Sequence, residues 1–375
     1  MSMEALIEYI EKRDRNLIPE CEIAVFQDHQ CLCRRFWTAG GEAGVDRERN
    51  LYFLFSATKV ITCTAAMRLV EEGKLGLDDP VYKYLPEFEE LYVKTDAGLQ
   101  KAKKVLTVRH LFSMSGGFTY NLGFDGILKV VEQTNRQATT RQIAGALSKM
   151  PLMFEPGENY QYSLCHDILA AVVEVASGMQ FSEYLSQVIF TPLGMKDTTF
   201  RQTDEVRARL MPQYTVSPWL NVASEIEPQC AYALSDRHES GGAGLISSAD
   251  DYARFADAMA SGTSADGYRL LKPETVALMR TPQLCERAQA TFALNPNFKG
   301  YSYACGVRTL VDREAAHAKS PLGEFGWDGA AGAYVLIDPE HRLSIFYAQH
   351  VLGCGYAYST LHPTIRNLTY DAIKE

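Results

Sequence analysis

The chain has 375 residues, 46% of them hydrophobic, which is enough for a large core and for two domains or one domain with a big insertion. Its net charge of −9 argues against nucleic acid and anionic membrane as partners, because both select clustered Lys and Arg, and no apolar run is long enough to span a membrane. The nine cysteines are odd in number and scattered, and they read as reduced, buried small hydrophobes of a cytoplasmic protein. Cys31-Leu32-Cys33 is too closely spaced for a zinc pair, and no His-Glu-x-x-His occurs, so neither a metal nor a cofactor is expected.

Residues 1–15 place Leu6, Tyr9 and Ile10 among Glu4, Glu8 and Glu11, an amphipathic helix without the basic start of a signal peptide. Residues 22–27 and 31–39 read as strands joined by the turn Asp28-His29-Gln30. A charged loop from Glu42 to Asn50 leads to Leu51-Tyr52-Phe53-Leu54-Phe55 and then to a helix with Val60, Ile61, Ala65, Leu69 and Val70 at helical spacing, capped at Gly73. The pattern changes at Leu77-Asp78-Asp79-Pro80, and the stretch that follows is mainly helical. Thr107 is an N-cap there, and 164–176 forms an apolar-faced helix. Gly241-Gly242-Ala243-Gly244 signals close backbone approach, and Ser248 to Asp251 opens another helix. Strands are expected at 303–311, 332–338 and 342–349, the last two around Pro339-Glu340-His341, and a final helix carries Leu361, Ile365, Leu368 and Ile373. Strands at both ends with helices between them predict one antiparallel sheet built from residues 1–78 and 240–375, with 79–239 an inserted, mainly helical domain. The cleft between the two is the expected site.

Ser56 stands one helical turn ahead of Lys59 at the start of the first long apolar run. Free N–H groups at a helix N-terminus favour developing negative charge, and the i, i+3 relation puts both side chains on one face. A lysine in an apolar setting loses the solvation that stabilises its charge, so its pKa falls and a neutral amine can accept the serine proton. This pair alone is a short pattern, and a serine before a helix also serves as a simple cap.

Ser56-Ala57-Thr58-Lys59, Gly73-Lys74-Leu75-Gly76-Leu77-Asp78-Asp79-Pro80, Pro156-Gly157 followed by Tyr160-Gln161-Tyr162-Ser163, Pro192-Leu193-Gly194-Met195 and Gly241-Gly242-Ala243-Gly244-Leu245 stand in the order found in class C β-lactamases and penicillin-binding-protein-like serine hydrolases, and the chain resembles that superfamily over most of its length. The resemblance implies a serine β-lactamase-like α/β fold with an inserted helical domain. Within the superfamily the chain looks most like family VIII carboxylesterases and lovastatin-type acyltransferases. Tyr162-Ser163-Leu164 stands where lactamases carry Tyr-x-Asn, and Trp327-Asp328-Gly329 stands where they carry Lys-Thr-Gly. By the same resemblance Ser56, Lys59 and Tyr162 are catalytic, with Lys59 or Tyr162 as general base. The N–H groups of Ser56 and Ala330 form the oxyanion hole, and Trp327 and Gly329 contact substrate.

The expected activity is hydrolysis of a small-molecule carboxylic ester through an acyl-Ser56 intermediate. Its rivals are acyl transfer to an alcohol, weak β-lactamase or D-amino peptidase activity, and a catalytically silent protein binding a peptide or cell-wall fragment. Phe118, Tyr120, Tyr214, Trp219 and Tyr232 hint at an apolar pocket, although packing is the more ordinary role for each and none assigns a substrate. Strand alternation predicts that Asp328 points away from the cleft and holds its strand through backbone hydrogen bonds.

Overall fold

The computed structural model describes residues 2–45, 50–217 and 219–374, so the middle of the Glu42–Asn50 loop lies outside the described residues. Eight strands form one sheet: β1 (Cys21–Gln27), β2 (Gln30–Thr38), β3 (Gly41–Ala43), β4 (Tyr301–Tyr303), β5 (Arg308–Leu310), β6 (Phe325–Asp328), β7 (Tyr334–Asp338) and β8 (Leu343–Gln349). Their order is β4-β5-β6-β7-β8-β1-β2-β3, with every neighbouring pair antiparallel. The two ends of the chain thus meet at the centre, where Cys21 lies opposite Gln349.

The helices that matter for the site are α1 (Glu4–Glu11), α2 (Thr58–Glu71), α3 (Cys165–Ser177), α4 (Ala249–Ser261) and α5 (His362–Lys374). Alternation along the strands sorts the core into two layers. Tyr334, Leu336, Ile345 and Tyr347 pack with Leu6, Ile10 and Ile365 of α1 and α5, whereas Val335, Ile337, Phe346 and Ala348 face α4 and the helices behind it. Tyr252 of α4 stacks on Phe346 with ring centroids 4.4 Å apart.

Thr58 through Met67 of α2 are buried without interruption, so this part of the helix has no solvent face and its polar groups find partners inside the protein. Thr64 returns its hydroxyl to the Val60 carbonyl at 2.8 Å, and Thr62 donates to the Gly241 carbonyl at 2.7 Å. Gly73 adopts φ +68° and closes α2 with Lys74 N–H on the Leu69 carbonyl (2.9 Å) and its own N–H on that of Val70 (3.0 Å), the two-bond left-handed stop expected of a glycine there. Thr107 and Ser248 cap their helices as read, and Asp28-His29, both at positive φ, make the two-residue turn between β1 and β2.

One expectation is corrected. Residues 303–311 are not one strand but the hairpin β4–β5, turned at Gly306 (φ +79°), where a Cβ would lie 2.1 Å from the Cys63 sulfur on α2. The stretch between α2 and α4 also contains two short strand pairs, Tyr92–Thr95 with Gly98–Lys101 and Gln213–Val216 with Ala223–Ile226. For the site, the decisive pairing is Leu51–Phe53 with Ile246–Ser248, because it lays the segment before Ser56 beside the glycine run 241–244.

Candidate active site

Ser56 lies in a short 3-10 turn, Phe55–Ala57, between the Leu51–Phe53 strand and α2. Phe55 takes φ +46°, a conformation costing a bulky residue on the order of 1 kcal/mol or more, and packing against Phe53 and Tyr232 holds it there. This abrupt bend leaves the serine half-buried at the cleft wall. Among the described residues no acceptor takes the Ser56 N–H.

Lys59 is wholly buried, and its Nζ donates to Ser56 Oγ at 3.1 Å, Tyr120 Oη at 2.8 Å and the Gly242 carbonyl at 2.6 Å. Burial lowers its pKa from the ordinary 10.5 to about 7, although the nearby Asp167 carboxylate pulls it back up. The glycine run now has its reason. A Cβ at Gly242 would meet Asp167 Oδ2 at 2.7 Å and Tyr120 Oη at 3.1 Å, and one at Gly241 would meet the His166 carbonyl at 2.5 Å.

Tyr162 is brought from the segment leading into α3. Its ring stacks on Trp327 (centroids 5.6 Å apart, 26°), its hydroxyl accepts the Trp327 indole N–H at 3.0 Å, and Ser56 is its other side-chain hydrogen-bond partner. Burial raises its pKa well above the phenol range, outweighing these two hydrogen bonds, so the phenol stays protonated while Lys59 is half neutral near pH 7. The two groups are thereby pushed in opposite directions, the lysine toward proton acceptance and the tyrosine toward proton donation.

The cavity above Ser56 has a volume of about 760 Å³ and is walled by Tyr162, Tyr232, Phe292, Phe298 and Trp327. A larger recess of about 1020 Å³, rimmed by Arg136, Arg141, Arg201, Arg207 and Arg237, contains none of Ser56, Lys59, Tyr162 and Ala330. Of the five aromatic pocket candidates, Tyr232 lines the cavity and Tyr120 binds Lys59. Phe118 is core, Tyr214 packs against the cluster beneath α1 and α5, and Trp219 is 93% exposed.

After β6 the chain turns tightly, with Gly329 N–H on the Ala333 carbonyl (2.7 Å) and Gly332 N–H on that of Gly329 (2.9 Å). Ala330 is exposed at the cavity, and among the described residues no acceptor takes its N–H. Two free amide donors, of Ser56 and Ala330, therefore border one cavity, the arrangement an oxyanion hole needs. Gly329 was expected to bring the strand close to substrate. Gly329 does border the cavity, and it also lies against the Leu54 carbonyl, which a Cβ would approach to 2.3 Å, so the glycine lets the strand end seat beside the serine's own turn.

Asp328 lies on the α5 side of the sheet, opposite Trp327, as alternation predicts, yet with Arg308 and His362 it still borders the cavity that holds Ser56. Its partners, however, are side chains rather than backbone: Oδ2 pairs with Arg308 at 2.8 Å and Oδ1 with His362 Nδ1 at 2.9 Å. Burial pushes its pKa up, but Arg308 and His362 outweigh burial and hold the carboxyl below its ordinary 3.8. Asp328→Asn should cost about 3 kcal/mol at pH 7, measured by denaturant unfolding, because it removes the carboxylate that pairs directly with the buried Arg308. A folded pKa below the unfolded one gives stability that is whole above the ordinary carboxylate range and lost as pH falls through the folded value, so the deficit should shrink below pH ~4. An unchanged midpoint at pH 7 would show that the ion pair carries no net stability.

A mixed α/β protein with this antiparallel sheet, and with a Ser-x-x-Lys pair at the mouth of its central helix, is of the β-lactamase-like serine hydrolase class. The chain belongs to the Beta-lactamase family, whose model matches residues 13–353. Esterase EstB of Burkholderia gladioli is 28% identical over 355 residues, covering 89% of this chain and 86% of EstB. Acyltransferase calJ of Penicillium decumbens is 27% identical over 326 residues, covering 80% of this chain and 76% of calJ. The solved structure of EstCE1, described as a hydrolase with promiscuous acyltransferase activity, shares the fold with a TM-score of 0.79 at 23% identity, over 98% of each chain.

Sequence reasoning passed over three parts of the site. Tyr120 was named only as a pocket aromatic, and Asp167 and Tyr358 were given no role. Each acts through a residue far away in sequence, and the only advance sign was the glycine run that makes room for Asp167 and Tyr120.

Proposed function

We propose that this protein is a serine carboxylesterase that forms an acyl-Ser56 intermediate from small to medium neutral esters. The observation that carries the reading is a buried Lys59 amine, half neutral near pH 7, within 3.1 Å of the Ser56 hydroxyl in an aromatic-walled cavity. Ser56 Oγ attacks the ester carbonyl carbon as its proton passes to Lys59, and the N–H groups of Ser56 and Ala330 receive the carbonyl oxygen as it gains charge. The C–O bond then breaks while Tyr162 gives its proton to the departing alkoxide and is reprotonated from Lys59. Water adds to the acyl-enzyme by the reverse proton path and frees the acid.

Esters are favoured over β-lactams because, although the exposed Lys299 and the buried Arg308 both border the cavity among the described residues, neither takes the place of the lysine that pairs with a lactam carboxylate. Trp327 stands in place of the lysine, and the buried Arg308 is committed to Asp328. The specificity constant for p-nitrophenyl butyrate should exceed that for nitrocefin by about 100-fold or more, roughly 2.7 kcal/mol of differential transition-state stabilisation. A ratio near one refutes the ester preference. Labelling with a fluorophosphonate followed by peptide mass mapping tests the nucleophile, and a label anywhere but Ser56 removes it.

Acyl transfer to an alcohol is the second reading. The acyltransferase activities of calJ and EstCE1 favour it, as does the apolar wall that can hold an alcohol acceptor. The yield of butyl ester in butanol-containing buffer separates transfer from hydrolysis.

A further inference from the structure

We infer that Tyr358 is a positioning residue for the oxyanion hole: its hydroxyl fixes the one peptide group whose N–H completes that hole. The inference rests on the acyl-Ser56 reading and names the device that holds its second donor in place.

The Gly329 carbonyl and the Ala330 N–H belong to the same peptide group. That group is trans, like every described peptide, and planar, so the two point in opposite directions and fixing one fixes the other. The Gly329 carbonyl accepts two hydrogen bonds, from Tyr358 O–H at 2.8 Å and from Gly332 N–H at 2.9 Å, which uses both lone pairs. Tyr358 Oη also lies 2.8 Å from the Ala330 carbonyl, so its single proton is shared between consecutive carbonyls. With its carbonyl held from the Tyr358 side, the Gly329–Ala330 peptide turns its N–H the other way.

Tyr358 is itself held. It sits in Ala357–Leu361, a turn wider than an α-helical one that feeds into α5, with its ring edge-on to His362 (centroids 5.5 Å apart, 85°). His362 in turn holds Asp328. One helical turn therefore grips residues 328, 329 and 330 in succession, and it does so entirely through side chains whose partners lie about 30 residues upstream. Without the hydroxyl, Gly332 is the only remaining partner of the Gly329 carbonyl among the described residues, and the peptide is free to rock away from the orientation that receives the charge.

Tyr358→Phe keeps the ring and removes only the hydroxyl. The expected result is a fall in kcat for p-nitrophenyl butyrate of about 10- to 100-fold, below the full loss of an oxyanion donor because Gly332 still holds the carbonyl, with KM changed less than about threefold. Affinity for an alkylboronic acid, whose tetrahedral Ser56 adduct needs the same donors, should fall by the same factor, with Tm unchanged. A kcat within about threefold of wild type, or a loss of kcat with boronate affinity intact, overturns the inference. So does a loss confined to Tyr358→Leu and accompanied by a lower Tm, which would assign the residue to packing. Failure of a fluorophosphonate to label Ser56 in the wild-type chain is a separate result, and it overturns the acyl-serine reading itself.

Discussion

Ser56→Ala is expected to lower turnover of p-nitrophenyl butyrate by about 10⁴-fold or more, to the level that cleft binding alone supports, with Tm moving less than about 2 °C. The asymmetry follows from where the hydroxyl sits. It is half-buried, its partners are the amine of Lys59 and the phenol of Tyr162, and both have other hydrogen bonds to keep. Lys59 retains Tyr120 and the Gly242 carbonyl, and Tyr162 retains the Trp327 indole. Losing one oxygen therefore leaves little unsatisfied, yet removes the atom that attacks. Activity persisting within about 100-fold of wild type would take Ser56 out of the chemistry.

Lys59→Met should abolish turnover on a similar scale and at the same time stabilise the protein at low pH. The folded pKa of about 7 against the ordinary 10.5 means that between these values the unfolded chain holds a proton that the folded chain has released. Wild-type stability then rises with pH across that window and is lowest at pH 7 and below, where burying the amine costs about 4 kcal/mol. Methionine fills a similar volume without charge. It leaves the Gly242 carbonyl and the Tyr120 hydroxyl without the amine, an offset of about 1 kcal/mol each. Denaturant unfolding should find the variant more stable at pH 6, with the advantage vanishing toward pH 10. Parallel pH dependences for the two chains would show that the lysine is not neutral in the fold. In the wild type, kcat/KM should fall on the acid side with an apparent pKa near 7, because only the neutral amine accepts the serine proton.

The parts of this protein legible in its sequence are those governed within one helical turn or one strand. Ser56 and Lys59 share a face because three residues span most of a turn, Gly73 ends α2 because only a residue tolerant of positive φ fits there, and Asp328 lies opposite Trp327 because strands alternate. The sheet drawn from both termini was readable as well, since its strands carry their own period and turn residues. The resemblance in motif order pointed further to Tyr162 and Ala330. The left-handed Phe55 at the serine bend had no such sign, because packing rather than the residue's own preference imposes it.

What only the tertiary structure decided is how distant segments finish one another's hydrogen bonds. Lys59 reaches partners 61 and 183 residues away, and Asp328 is paired with residues 20 before and 34 after it. Tyr358 holds carbonyls 29 and 28 residues upstream. Neither spacing nor propensity encodes such pairs. They exist because a buried amine, carboxylate or peptide carbonyl cannot be left without a partner, and the packing of the whole chain determines which polar group is within reach to supply it.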